Sequence, residues 1–133
     1  MKYMLDTNIC IYLIKKRPEN VIDKFQSLKL GDVCFSSITL SELFYGVEKS
    51  QRKQKNTSAL EKFILPLDIL PFDDKAAYQY GALRAYLERK GTPIGSMDLM
   101  IAAHALSIRA ILVTNNVKEF SRVPKLTLEN WAQ

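Results

Sequence analysis

Histidine, cysteine and long apolar runs are scarce in this sequence, and each shortage excludes a class of function. His104 is the only histidine, which excludes chemistry that needs two imidazoles and disfavours a zinc site built mainly on histidines. Cys10 and Cys34 are the only cysteines, and we expect both to be reduced core residues, because they lie among apolar neighbours without metal-ligand spacing. If the protein is an enzyme, carboxylates must therefore do most of its chemistry.

Membrane and export signals are also missing. No apolar run approaches the roughly 18 residues that a spanning helix needs, and the N-terminus has no basic stretch followed by an apolar segment and a cleavage site. We therefore expect a cytoplasmic protein with no membrane association. Its 133 residues fit a single domain, 1–133, and its net charge of +5 suits a nucleic-acid partner without demonstrating one.

What is present is an alternation of short apolar runs with helical patterns. The runs predict strands at 3–5, 33–35, 69–72, 110–114 and 126–128. Helical spacing predicts helices at 9–15, 19–30, from 39 onward, around 60–64, from Asp73 or Asp74 to Lys90, and from 98 onward. This order indicates an α/β fold with a parallel sheet and helices on both faces.

Local signals predict where the helices begin and end. We expect Asn8 to be the N-cap of the first helix and Gly31 to end the second. Thr39 and Glu42 match a capping box at the start of the third. Pro71 predicts an edge or end position for the third strand.

Acidic and polar residues recur where strands pass into helices. Asp6 follows the first strand, Glu42 and Asp98 lie in first helical turns, and residues 114–116 follow the most apolar strand. Strand C-termini of a parallel sheet share one edge, so these residues can converge. Taken singly, Asp6 is equally well a turn residue, Glu42 a capping-box partner, and Asp98 an acid favoured by the helix dipole.

Together, these carboxylates predict a metal site. Three carboxylates within a few Å repel one another unless a cation neutralises them. Oxygen ligands without histidine or cysteine suit Mg²⁺ or Mn²⁺. Magnesium held by a few carboxylates keeps several waters, and one of these can attack phosphorus while the ion stabilises the charge on the phosphoryl oxygens.

Four motifs in this order resemble the PIN domain and, more closely, the VapC toxins of bacterial VapBC toxin–antitoxin systems. They are Leu-Asp-Thr-Asn at 5–8, Ser-Ile-Thr-Leu-Ser-Glu-Leu at 37–43 with Tyr-Gly at 45–46, Asp-Leu-Met-Ile-Ala-Ala-His-Ala at 98–105, and Leu-Val-Thr-Asn-Asn at 112–116. The resemblance implies a three-layer α/β/α nuclease domain with a central, mostly parallel sheet of four to five strands. It also implies that Asp6, Glu42 and Asp98 hold Mg²⁺ or Mn²⁺ for cleavage of RNA, with Thr7 and Thr114 in support.

The chain departs from the family pattern at one position. Many members have an acid where this sequence has Asn116, whose neutral oxygen can still orient a metal-bound water. Glu119 lies about one helical turn further on, and its spacing suggests that it supplies the fourth carboxylate.

Basic residues form two groups that are either solvated surface or contacts to RNA phosphates. Lys49, Arg52 and Lys53 belong to a polar segment at 49–56 that we expect to be a loop or the tip of a helical hairpin, and Arg84 lies on the long helix. In the family, this hairpin also contributes to dimerisation and antitoxin contact.

The resemblance implies an endoribonuclease toxin that cuts RNA and inhibits translation, with the anticodon loop of initiator tRNA as the suspected target. It implies a VapB-type antitoxin that offers a basic side chain to the acidic pocket. It further implies a homodimer and allows a larger toxin–antitoxin assembly. Two alternatives stay open: a PIN nuclease of RNA processing without an antitoxin, and a non-catalytic binding module that keeps the acids for capping.

Overall fold

A sheet of five parallel strands forms the centre of the fold in the computed structural model, which describes residues 2–132. The strands are β1 (Tyr3–Leu5), β2 (Val33–Ser36), β3 (Asp68–Leu70), β4 (Ile111–Val113) and β5 (Thr127–Glu129). Their order is β3-β2-β1-β4-β5, and every neighbouring pair is parallel. The prediction of a mostly parallel sheet of four to five strands is confirmed, and the edge position predicted for the third strand is confirmed as well.

Helices cover both faces of this sheet and make three layers. They are α1 (Thr7–Lys15), α2 (Glu19–Gln26), α3 (Ser37–Glu48), α4 (Lys53–Ile64), α5 (Asp74–Lys90), α6 (Ser96–Ser107) and α7 (Val117–Phe120). Successive residues of β1 point to opposite faces of the sheet. Met4 therefore packs with α5 and α6, whereas Leu5 packs with α1, α3 and α4. Burying each large apolar side chain contributes about 1.5–3 kcal/mol.

Helix α6 is apolar nearly all round because it is enclosed. It packs against α5, α3 and β4, and its inward residues include Ile101, Ala102 and Ala105. Its first turn carries Asp98 and points to the edge of the sheet where the strands end. An enclosed helix thus fixes the position of one predicted site residue.

The predicted N-caps of two helices are wrong. Helix α1 begins at Thr7, and its N-cap is Asp6, whose Oδ1 accepts the Ile9 amide at 2.9 Å; Asn8 lies inside the helix. Helix α3 begins at Ser37 because the Ser36 hydroxyl accepts the Ile38 amide at 3.0 Å. The predicted capping box of Thr39 and Glu42 is therefore absent, since both residues lie within α3.

The second helix also ends earlier than predicted. It stops at Gln26, where the backbone amide of Ser27 bonds to the Asp23 and Lys24 carbonyls. Residues 30–32 then form a short 3-10 turn that contains Gly31, so this glycine does not end the helix. The predicted caps of α5 are confirmed, with Asp73 at its start and Gly91, at φ 71°, at its end.

The expectation that both cysteines are reduced core residues is confirmed. Cys10 and Cys34 are buried free thiols, and burial raises the pKa of both, for Cys34 to about 11. The indole of Trp131 packs on Tyr3 and so docks the tail against the sheet. None of the helices in residues 2–132 is long and apolar enough to cross a membrane.

Candidate active site

Asp6 stands where β1 passes into α1, and only 4% of its surface is exposed. Burial raises the pKa of its carboxyl, and the charge of Glu42 raises it further. Hydrogen bonds from the Thr114 hydroxyl and from the Ile9 and Asn8 amides work in the opposite direction. The position therefore holds an ionisable acid in a nearly dry corner, and the supporting role predicted for Thr114 agrees with this contact.

Thr7 ties α1 to α3 through Glu42. Its hydroxyl donates to Glu42 Oε1 at 2.6 Å and lies 3.4 Å from the Thr39 hydroxyl. Thr7 is in the first turn of α1 and Glu42 in the second turn of α3, so the bond draws the Glu42 carboxylate toward Asp6. Thr7 thus positions an acid contributed by another helix.

Asp98 lies within electrostatic range of the other three acids. Burial is the largest cause of its raised pKa, which reaches about 6, and the charges of Glu119, Asp6 and Glu42 raise it in that order. A hydrogen bond from the Asn116 side chain opposes the rise. Three carboxylates, from the N-cap of α1, from α3 and from α7, therefore act on Asp98 at the edge where the parallel strands end.

Glu119 makes two hydrogen bonds beside Asp98. Its Oε1 accepts the Gly95 amide at 2.7 Å, and its Oε2 accepts the Asn116 side-chain amide at 3.0 Å. Arg122 adds a bond from its guanidinium to the Pro93 carbonyl at 2.9 Å. Residues of α7 and the turn after it thus hold the turn that leads into α6. The sequence indicated Glu119 only by its spacing from Asn116. No sequence pattern predicts its hydrogen bond with Gly95, which is 24 residues away in the chain.

The chemistry of this group fits a hard divalent cation. Its donors are carboxylate, hydroxyl and amide oxygens, and none of the three ion pairs found in residues 2–132 involves Asp6, Glu42, Asp98 or Glu119. Within the same residues, no three carboxylate, imidazole or thiolate side chains already surround one point. Asp6, Glu42, Asp98 and Glu119 are therefore the residues whose carboxylate oxygens could hold such a cation.

The predicted RNA-contacting cations lie elsewhere on the surface. Lys53 pairs with Glu48 at 2.8 Å, and Arg84 pairs with Glu88 at 2.9 Å. Lys49 lies over the ring of Tyr45, 4.9 Å from its centroid. Arg52 precedes α4 at the turn of the α3–α4 hairpin, which confirms the predicted hairpin tip. A role for these residues in RNA binding stays a prediction.

Two grooves run along α1, and one of them reaches Glu42. One, of about 330 Å³, runs between α1, α3 and α4 from Glu42 past Lys15. Its walls are mainly apolar and are formed by Ile11, Ile14, Leu43, Val47 and Leu60. The other lies across α1 and includes Tyr12, whose hydroxyl accepts the Asn115 side-chain amide at 2.6 Å. No local sequence pattern indicates this bond, because Tyr12 and Asn115 are 103 residues apart in the chain.

The single histidine takes no part in this site. His104 is 1% exposed, its Nδ1 lies 2.8 Å from the Ser36 hydroxyl, and its ring meets Phe72 edge-on. Burial lowers its pKa. His104 is therefore a packed residue of the core.

Comparison with known proteins agrees with this arrangement. The family model for the PIN domain matches residues 3–126. The chain is 51% identical to Ribonuclease VapC2 of Rickettsia felis and 48% identical to the tRNA(fMet)-specific endonuclease VapC of Salmonella typhimurium, over 98% of each protein in both cases. Its fold matches a chain in the crystal structure of VapBC2 from Rickettsia felis bound to a promoter DNA fragment, with a TM-score of 0.93, 49% identity, and coverage of 98% of this chain and 99% of that one. The chain therefore belongs to the PIN domain family and, within it, to the VapC ribonucleases.

Proposed function

We propose that this protein is the toxin of a type II toxin–antitoxin pair, an endoribonuclease that depends on Mg²⁺ or Mn²⁺ and inhibits translation by cutting RNA. The observation that carries the proposal is the pKa of Asp98, which burial and three neighbouring carboxylates raise to about 6. Such crowding of like charge without a cationic partner is costly to the fold, and a bound divalent ion would relieve it.

Each residue of the site has a role in this proposal. Asp6, Glu42 and Asp98 hold the ion, Thr7 orients Glu42, and Thr114 orients Asp6. When bound, the ion lowers the pKa of a coordinated water and neutralises charge on the phosphoryl oxygens. Because Asp6 is buried and Asp98 is half-buried, the scissile phosphate would lie against carboxylates that are largely shielded from water.

The proposed substrate is tRNA, with the anticodon loop of initiator tRNA as the first candidate. This choice is supported by the Salmonella typhimurium relative, which is named as a tRNA(fMet)-specific endonuclease. A tRNA substrate also implies a cytoplasmic site of action, which agrees with two free, buried cysteines.

The proposed partner is a VapB-type antitoxin, as in the VapBC2 complex of Rickettsia felis. The apolar groove between α1, α3 and α4 suits a segment with apolar side chains, and the acids at its end suit a basic residue. Occupation of both would exclude RNA from the site. We further propose that the toxin is a homodimer, which can join a larger toxin–antitoxin assembly.

The test uses purified full-length chain, 5′-labelled tRNA, and Mn²⁺ or Mg²⁺ with and without EDTA. We expect cleavage that EDTA abolishes, and a loss of roughly 100-fold or more in Asp98→Asn, because one ligand charge is removed. The matched control is Asp74→Asn, which makes the same change in the first turn of α5, at an exposed position away from the acids. Cleavage by Asp98→Asn at the rate of the wild type, or cleavage that persists in EDTA, would show that the proposal is wrong.

A further inference from the structure

The end of helix α1 carries three consecutive cations, Lys15, Lys16 and Arg17. Lys15 lines the groove that reaches Glu42, and it also lines an adjoining groove of about 510 Å³ together with Arg17 and Tyr12. Neither Lys15 nor Arg17 belongs to any of the three ion pairs found in residues 2–132. Lys15 thus lies in a groove that reaches one acid of the site, and Arg17 lies in the groove beside it.

The backbone brings Lys15 and Arg17 to the same groove. Lys16 adopts a left-handed conformation, with φ 59°, which residues other than glycine rarely adopt. The Arg17 amide bonds to the Tyr12 carbonyl at 3.0 Å, and the Lys16 amide bonds to the Leu13 carbonyl at 3.2 Å. This is a Schellman turn, and it folds the chain back so that Arg17 lies beside Tyr12 and Lys15.

Tyr12 connects this groove to the acids. Its hydroxyl accepts the Asn115 side-chain amide, so its own hydrogen remains able to donate to another acceptor. Asn115 follows Thr114, which bonds to Asp6. A neutral donor and two cations therefore line one path that begins next to the acidic residues.

We propose that Tyr12, Lys15 and Arg17 form a phosphate-binding path that holds the RNA backbone as it leaves the acidic site. The inference rests on the proposed nuclease function and names the residues that bind its substrate. Four carboxylates repel the phosphates on either side of the scissile one, so a substrate needs cations close by. Nine residues at a rise of about 1.5 Å place Lys15 about 13 Å along α1 from Asp6, which a few nucleotides span.

Cations at a helix C-terminus also interact favourably with the helix dipole, and this alternative makes a different prediction. Phosphate contacts change how RNA binding depends on salt, whereas a dipole effect changes only the stability of the protein. A salt titration of RNA binding therefore distinguishes phosphate contacts from a helix-dipole effect.

The experiment measures binding of the full-length protein to a fluorescein-labelled 20-nucleotide single-stranded RNA in EDTA, between 50 and 300 mM KCl. Each single-strand phosphate contact contributes about 0.7 to the slope of log K against log salt. We therefore expect the double variant Lys15→Gln/Arg17→Gln to lower the slope by about 1.4 and the affinity at 100 mM KCl by about tenfold or more. Lys62→Gln/Lys75→Gln removes the same net charge from two exposed cations on α4 and α5 that are not predicted to contact RNA, and it is the matched control.

An unchanged slope in the Lys15/Arg17 variant, with or without a lower Tm, would overturn the proposal, as would an equal loss in the control pair. Tyr12→Phe is the second variant, and we expect it to weaken binding several-fold at an unchanged slope; full affinity would remove Tyr12 from the path. The nuclease proposal is judged separately, because metal-dependent cleavage and its loss in Asp98→Asn do not require these three residues.

Discussion

Asp6 combines two tasks in one side chain. One carboxylate oxygen accepts the Ile9 amide and caps α1, while its charge acts on Glu42 and Asp98. The sequence predicted the acid but assigned the cap to Asn8. The reason is that Asp and Asn are about equally good caps, so two candidates spaced two residues apart cannot be told apart without the backbone conformation.

Two substitutions of Asp6 separate these tasks. Asp6→Asn keeps a capping oxygen and loses the charge, so we expect a folded protein that no longer cleaves RNA. Asp6→Ala loses both, and we expect it to be about 1 kcal/mol less stable than Asp6→Asn. Urea unfolding at pH 7 measures the difference, and equal stability of the two variants would mean that the cap contributes nothing.

Glu119 offers a second test of a single residue. Glu119→Gln keeps an oxygen for the Gly95 amide and removes the charge. If Glu119 supplies the fourth carboxylate, we expect Mn²⁺ affinity and cleavage to fall roughly tenfold or more, with little change in Tm. Isothermal titration with Mn²⁺ measures the affinity. Cleavage that stays intact in Glu119→Gln while Asp98→Asn abolishes it would disprove compensation by Glu119.

Among the elements, α3 shows the limit of local sequence signals. Ser36, Ser37, Thr39 and Ser41 are all possible caps, and the pair Thr39 and Glu42 matched a capping box. The structure uses Ser36 because β2 continues directly into the helix. Glu42 is bonded instead by Thr7, 35 residues away in sequence, and no local pattern predicts such a contact.

The larger periodic elements were predictable because their patterns extend over many residues. The capped helix α5, the buried helix α6 and the apolar strand β4 were all expected, with small errors at their ends. The convergence of Asp6, Glu42 and Asp98 followed from the shared edge of parallel strands. The hydrogen-bond partners of each side chain could not be predicted from the sequence, because they depend on packing between elements that are distant in sequence.

His104 links two elements, because it lies on α6 and meets Ser36, the cap of α3. We expect His104→Ala to destabilise the protein by about 2–4 kcal/mol, since it leaves a cavity and removes the partner of Ser36. Ser96→Ala is the control on the same helix, and its exposed position predicts a change within about 0.5 kcal/mol. Urea denaturation measures both, and a small effect of His104→Ala would contradict a structural role for the pair.

For the molecule as a whole, the acids make stability depend on pH. The folded pKa of Asp98, about 6, lies above its ordinary value of 3.8, so the folded state binds more protons between these values. The unfolding free energy therefore falls as pH rises from about 4 to about 6. His104 acts in the opposite direction, because its folded pKa is lowered, so the Asp98 contribution must be isolated by a variant.

Asp98→Asn provides that variant in metal-free protein. We expect it to be about 1 kcal/mol more stable than the wild type at pH 7.5, after allowance for solvent screening, and to lose this advantage at pH 4. The measurement is Tm in EDTA at both pH values, where 1 kcal/mol corresponds to roughly 4 °C.

Mn²⁺ should raise the Tm of the wild type more at pH 7.5 than at pH 5.0, because protonated acids bind it poorly. A Tm rise that is equal at the two pH values would argue against binding by these carboxylates.

The strand order also governs when the protein can first act during its own synthesis. Strand β1 lies at the centre of the sheet, but its neighbour β4 begins more than 100 residues later, at Ile111. Asp98, Thr114 and Glu119 also lie in the last third of the sequence, so they are synthesised late. During synthesis, Asp6 and Glu42 therefore emerge from the ribosome well before the other residues of the acidic centre. The sheet and the acidic group at its edge can therefore assemble only after the segment from Ile111 onward has been synthesised.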